Sequence, residues 1–146
     1  MQIIGQLKLL VIEDMIEDYQ LLVAGLEDLK IQSVQAKDLE QMKRKINEEK
    51  FDAILLDLCI GETQGIDTIT EAQKILSESE INRNCPIVIL SGLNDFSIIK
   101  KALKMGVKDY LCKGEFAATE LKRALSFATV TNELPKRSEK RFPRFW

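Results

Sequence analysis

The sequence predicts an α/β domain, a parallel sheet covered by helices on both faces. Three observations carry this expectation. Short apolar runs alternate with segments in which apolar residues recur at helical spacing. Two of those runs, FDAILL at 51–56 and PIVIL at 86–90, are apolar almost throughout, as strands covered on both faces are. Acids, a hydroxyl and a lysine stand just past the ends of the runs, on the rim where open parallel sheets bind their ligands. With 146 residues there is room for one domain with a genuine core and hardly for two.

Each element follows in order. Leu7 to Ile12 (LKLLVI) reads as the first strand, and Tyr19, Leu22, Val23 and Leu26 mark one face of a first helix. Ile31 to Ala36 is a weaker, more polar strand, which suits a sheet edge. Leu39, Met42 and Ile46 mark a second helix. Phe51 to Leu56 is the third strand, and Ile66, Ile69, Ala72 and Leu76 line a third helix. Pro86 to Leu90 is the fourth strand, followed by a helix with Ile98, Ile99, Ala102 and Leu103 on its inner face. Gly106 stops that helix, Lys108 to Cys112 forms a last short strand, and Ala117, Leu121, Ala124, Leu125 and Ala128 belong to the closing helix. The domain is expected to span 1–131. The remaining 132–146, NELPKRSEKRFPRFW, carry five basic and two acidic residues with three aromatics, and read as a tail or linker. Basic residues interleaved with aromatics suit an interface anchor.

Composition narrows the function. A formal net charge of −2 gives no reason to expect the body of the protein to touch nucleic acid, and no apolar run approaches the length of a membrane span. The N-terminal stretch lacks the basic start and cleavage site of a secretory signal, so the expected address is the cytosol. Three cysteines without a CxxC pair make a disulfide framework or zinc site unexpected, and Cys59, Cys85 and Cys112 read as small buried hydrophobes. Histidine is absent, which removes His bases, His ligands and a phosphohistidine on this chain.

The chemistry gathers at the strand ends. The first strand delivers Glu13 and Asp14, the third Asp57, the fourth Ser91 and Gly92, and the fifth Lys113. Taken singly, each has a plain structural reading. Asp57 could open a turn, Glu13 and Asp14 could cap a helix, Ser91 could do the same, and Lys113 could be a solvated charge. Together on one rim, three carboxylates repel each other unless a cation neutralises them. Oxygen-only ligands favour a hard cation, Mg²⁺ first, with Mn²⁺ admissible. A lysine and a hydroxyl facing that cluster suit a phosphoryl group, so the chemistry indicated is phosphoryl transfer with Asp57 as acceptor.

The set Glu13-Asp14, Asp57, Ser91, Lys113, with Tyr110 three residues before the lysine, resembles a two-component response-regulator receiver domain. Gly65, eight residues after Asp57, and the segment MGVKDYLCKGE support the resemblance, which covers roughly 7–130. It implies a flavodoxin-like (βα)5 fold with a five-stranded parallel sheet in the order 2-1-3-4-5. It implies that Asp57 takes its phosphoryl group from a sensor histidine kinase or a histidine phosphotransfer protein. Asp14, Asp57 and the main-chain carbonyl of Cys59 would hold Mg²⁺ directly and Glu13 through water. Lys113 and the Ser91 hydroxyl would bind phosphoryl oxygens. Tyr110 would turn inward as Ser91 moves, reshaping the face of the fourth helix, fifth strand and fifth helix for a downstream partner or a dimer. Such a domain is a phosphoacceptor, not an enzyme acting on other substrates.

Two departures stand out. Gly114 follows the lysine where the family usually has proline, so the family's cis peptide is not expected here. Gly61 replaces a frequent proline four residues after the acceptor. Two rival readings have a sequence test. A phosphatase of the haloacid dehalogenase type needs a second acid two residues after its nucleophile, and here that position is Cys59. A receiver-like interaction module without phosphorylation would have little reason to keep the whole acidic set.

Overall fold

The computed structural model describes residues 7–61 and 63–133. Five strands form one sheet: β1 (Lys8–Ile12), β2 (Gln32–Ala36), β3 (Ala53–Leu56), β4 (Ile87–Ser91) and β5 (Asp109–Cys112). Five helices alternate with them: α1 (Ile16–Asp28), α2 (Leu39–Glu48), α3 (Ile66–Ser77), α4 (Phe96–Lys104) and α5 (Ala118–Glu133). The sheet order is β2-β1-β3-β4-β5 and every neighbouring pair is parallel. This is the flavodoxin-like arrangement expected from the sequence.

The period of two along a strand explains the two cores. Leu10 and Ile12 of β1, Ile54 and Leu56 of β3, and Ile87 and Ile89 of β4 face one side, where Met42, Ile46, Ile69, Leu76 and Ala102 cover them. The intervening Leu9, Val11, Leu55, Val88 and Leu90 face the other side, under Leu22 and Leu26 of α1 and Leu121, Leu125 and Ala128 of α5. All four residues of β3 and all five of β4 are buried, because both sheet faces are covered there. At the edge, β2 is mostly half-exposed, as its polar sequence QSVQA anticipates.

Aspartates fix two helix starts. Asp38 accepts from the Gln41 amide at 2.8 Å before α2, and Asp95 from the Ser97 amide at 2.7 Å before α4. The carboxyl end of β3 is shaped by a two-residue hairpin, Cys59–Ile60 against Thr63–Gln64, left outside the strand count. No sequence periodicity announces it. Gly65 then takes φ +63° to start α3, and its amide donates to the Leu58 carbonyl at 2.9 Å.

Two expectations need correcting. Leu103 does not line the inner face of α4; it is 46% exposed, and Ala102 is the buried residue of that helix. Of the cysteines only Cys85 is buried, with its thiol pushed up to about 12 by burial, while Cys59 is exposed and Cys112 half-buried. Asn132 and Glu133 continue α5, and the rest of the expected tail, 134–146, lies outside the described residues. Among the described residues no helix is long and apolar enough to cross a membrane.

Candidate functional site

The sheet delivers every rim residue from a strand end. The Glu13 amide donates to Ala36 at 3.0 Å and the Asp57 amide to Ile12 at 3.1 Å, so both acids continue their ladders by one residue. Ser91 closes β4 opposite Cys112, and the Lys113 amide donates to the Ser91 carbonyl at 2.8 Å. Rigid, buried strands therefore set the backbone of four elements at one place.

Carboxylate oxygens of Glu13, Asp14 and Asp57 come within 4.8 Å of one another. Glu13 is 4% and Asp57 7% exposed, whereas Asp14 faces solvent. Such a set of hard oxygen donors, two of them buried, is chemically suited to a divalent cation. Both oxygens of Asp57 are engaged: Oδ1 accepts from the Cys59 amide at 3.2 Å and Oδ2 from Lys113 Nζ at 2.9 Å. Glu13 is held the same way, with Oε1 accepting from Lys113 at 2.5 Å and Oε2 from the Met15 amide at 3.1 Å. The last contact means that Glu13 also serves the start of α1, so the capping and the site roles coexist.

Lys113 has a third partner that sequence reasoning missed. Asp18, on the first turns of α1, accepts from Nζ at 2.8 Å. One ammonium thus faces three carboxylates. Burial works against its charge, but the hydrogen bonds to Asp18, Glu13 and Asp57 outweigh that and hold its pKa above the ordinary lysine range. A single lysine cannot balance three acids, and the most buried yields. Burial, helped by repulsion from Asp57, pushes Glu13 up to about 7 against the pull of Lys113 and the Met15 amide.

Ser91 is fully buried and its Oγ accepts from the Leu93 amide at 3.3 Å. Tyr110 is half-buried, packed on the core, and its hydroxyl donates to the Leu93 carbonyl at 2.5 Å. Ser91 and Tyr110 are therefore tied to the same residue of the loop between β4 and α4. Gly114 stands at φ +79°, the left-handed region that glycine adopts freely, and no peptide among the described residues is cis.

Comparison with known proteins agrees with this geometry. The family model of the response regulator receiver domain matches residues 9–126. The transcriptional regulatory protein ZraR of Klebsiella oxytoca is 30% identical over 108 residues, 74% of this chain but 23% of ZraR. The phosphate regulon transcriptional regulatory protein PhoB of Escherichia coli is 30% identical over 114 residues, 78% of this chain and 48% of PhoB. This chain thus matches only a quarter to a half of these longer relatives. Among solved structures, the receiver domain of the sensor histidine kinase PA1611 from Pseudomonas aeruginosa, with a magnesium ion coordinated in its active site cleft, superposes with a TM-score of 0.71. It is 26% identical and covers 85% of this chain and 98% of that one. A two-component response regulator from Clostridium difficile, 27% identical, superposes with a TM-score of 0.68 over 86% of this chain and 97% of its own.

Proposed function

The chain belongs to the response regulator receiver domain family, and from that premise we propose that Asp57 is its phosphoacceptor. A carboxylate oxygen of Asp57 attacks the phosphorus of a phosphohistidine on a sensor histidine kinase or a histidine phosphotransfer protein. The O–P bond forms as the N–P bond breaks, and the imidazole leaves. Asp14, Asp57 and the Cys59 carbonyl would hold Mg²⁺, or Mn²⁺ in its place, and Glu13 would support it through water. Bound there, the cation offsets the negative charge that acids and phosphoryl group bring together. Lys113, already on Asp57, shifts its ammonium to a phosphoryl oxygen, and the Ser91 hydroxyl donates to another. Movement of Ser91 pulls on Leu93, the residue that also holds Tyr110, which couples the site to the α4-β5-α5 face. Phe96 and Leu103 stand exposed on α4, apolar ground for a downstream protein or a second copy of the chain. No contact with nucleic acid or membrane enters this reading, and its setting is the cytosol. The basic, aromatic segment 132–146 would serve as an anchor for a partner.

The observation that carries the proposal is the Glu13-Asp14-Asp57 cluster, with Glu13 and Asp57 buried and Lys113 on the acceptor oxygen. It is tested by incubating the chain with acetyl phosphate and Mg²⁺ and reading the intact mass, beside Asp57→Ala. The expected result is a gain of one phosphoryl group that needs the metal and is absent in the variant. No gain with acetyl phosphate, and none with a panel of phosphorylated histidine kinases, would leave a phosphorylation-independent interaction module. Sustained turnover of p-nitrophenyl phosphate would favour a phosphatase instead.

A further inference from the structure

Below the rim, α1 and α5 cover the same face of the sheet without closing over it. A cavity of about 480 Å³ opens between them, floored by Leu55 and walled by Leu22 and Gly25 of α1 and by Phe116, Ala118 and Leu121. Side-chain size explains the gap: Gly25 and Ala118 are small, and a Cβ added to Gly25 would meet nothing within 4 Å. Protein interiors are normally packed to crystal density, and a volume of several hundred Å³ is that of a small-molecule site. One end of the cavity is polar, reaching Glu13, Asp18, Asp57 and Lys113. The Lys113–Asp18 ion pair, at 2.8 Å, bridges from the loop after β5 to α1 at that end.

The geometry points to a binding site for an elongated apolar molecule with a cationic head, a primary alkylamine or arylalkylamine, its body between α1 and α5 and its ammonium on Asp18. The sign of the head follows from the charges at the polar end of the metal-free protein, where Glu13, Asp18 and Asp57 face one lysine, Lys113. Asp18 is the anchor because it lies outside the Glu13-Asp14-Asp57 cluster, on α1, the helix that walls the cavity. The site is also coupled to the rim. A phosphoryl group on Asp57 draws Lys113 away from Asp18 and leaves that carboxylate for the ligand, so phosphorylation and amine binding favour each other. This coupling rests on the phosphoacceptor reading; the cavity and its charge do not.

The test titrates the full chain, in chelator, with octylamine, octanol and octanoate, following backbone amide shifts. Octylamine is expected to bind saturably, shifting Gly25 and Leu121, with octanoate about tenfold weaker or more. Asp18→Asn should bring octylamine down to the level of octanol. Gly25→Leu should fill the cavity and abolish binding of all three while still gaining a phosphoryl group from acetyl phosphate; Ala118→Leu repeats the test from α5. Absence of saturable binding, shifts that map elsewhere, or undiminished binding in both filled variants would overturn the proposal. So would binding that emerges only after removal of 134–146, which would assign the cavity to the chain's own C-terminal segment. Because phosphorylation is read separately by mass, a failure here is distinct from a failure of Asp57 as acceptor.

Discussion

Lys113 is the one ammonium that the three acids of the rim share. It holds Glu13, Asp18 and Asp57 at 2.5, 2.8 and 2.9 Å, and removing it leaves three acids facing each other. Lys113→Ala should slow phosphoryl gain from acetyl phosphate by about a hundredfold or more, the usual cost of losing one preorganised charge partner. The rate of mass gain at fixed donor checks this, and Mg²⁺ binding should survive. Glu13 gives a second expectation at this scale. Its carboxyl is raised from 4.5 to about 7 in the folded, metal-free protein, chiefly by burial. The folded state therefore keeps a proton that the unfolded chain has released, and linkage makes stability fall as pH rises across that interval. Any stabilisation from this group is fully present below about 4.5 and is lost as pH climbs through about 7. Urea unfolding in chelator at pH 5, 6 and 7.5 should show the decline, and Glu13→Gln should flatten it.

Among the elements, the connection from α3 to β4 is held by two buried polar side chains, Asn82 and Ser79. Asn82 is fully buried; its Nδ2 donates to the Ile46 and Glu49 carbonyls at 2.6 and 2.8 Å, and its Oδ1 accepts from the Phe51 amide at 3.0 Å. Ser79, equally buried, donates to Ile46 and accepts from the Asn82 amide. This network ties the end of α2 and the approach to β3 to the segment before β4. Asn82→Ala leaves buried backbone groups without partners and should cost about 2–4 kcal/mol. Chemical denaturation measures it, and the acid cluster of the rim should remain intact. Nothing in the sequence marks Asn82 as different from the neighbouring loop residues Arg83 and Asn84. By contrast, β3 and β4 were legible at once, since a strand buried on both faces must be apolar at every position. Leu103 misled for a related reason: an apolar residue at helical spacing marks an apolar face, whichever surface finally covers it.

At the scale of the molecule, the exposed apolar residues of α4 lie on the face that the proposed switch controls. Phe96 is 77% exposed, far from the usual fate of a phenylalanine. Phe96→Ser should weaken association of the phosphorylated chain with itself or its partner about tenfold or more, without changing phosphoryl gain. Analytical ultracentrifugation of wild type and variant, with and without phosphodonor, checks the self-association arm, and pull-down with a partner checks the other.

The strand-helix alternation and the residues at the strand ends can be read from the chain alone, because burial periodicity and the sheet's polarity are local properties of the chain. It showed in that way Glu13, Asp14, Asp57, Ser91 and Lys113 as one rim. It takes the folded molecule to bring Asp18 to Lys113 across 95 residues of sequence, and to leave a cavity between α1 and α5 beside Gly25 and Ala118. The fold alone reveals that Asn82 pins the turn before β4. These depend on how helices sit against one another and on which surface charges face across a gap. Neither leaves a periodic trace in the chain, since one acid on an exposed helix face looks like any other until its partner is brought to it.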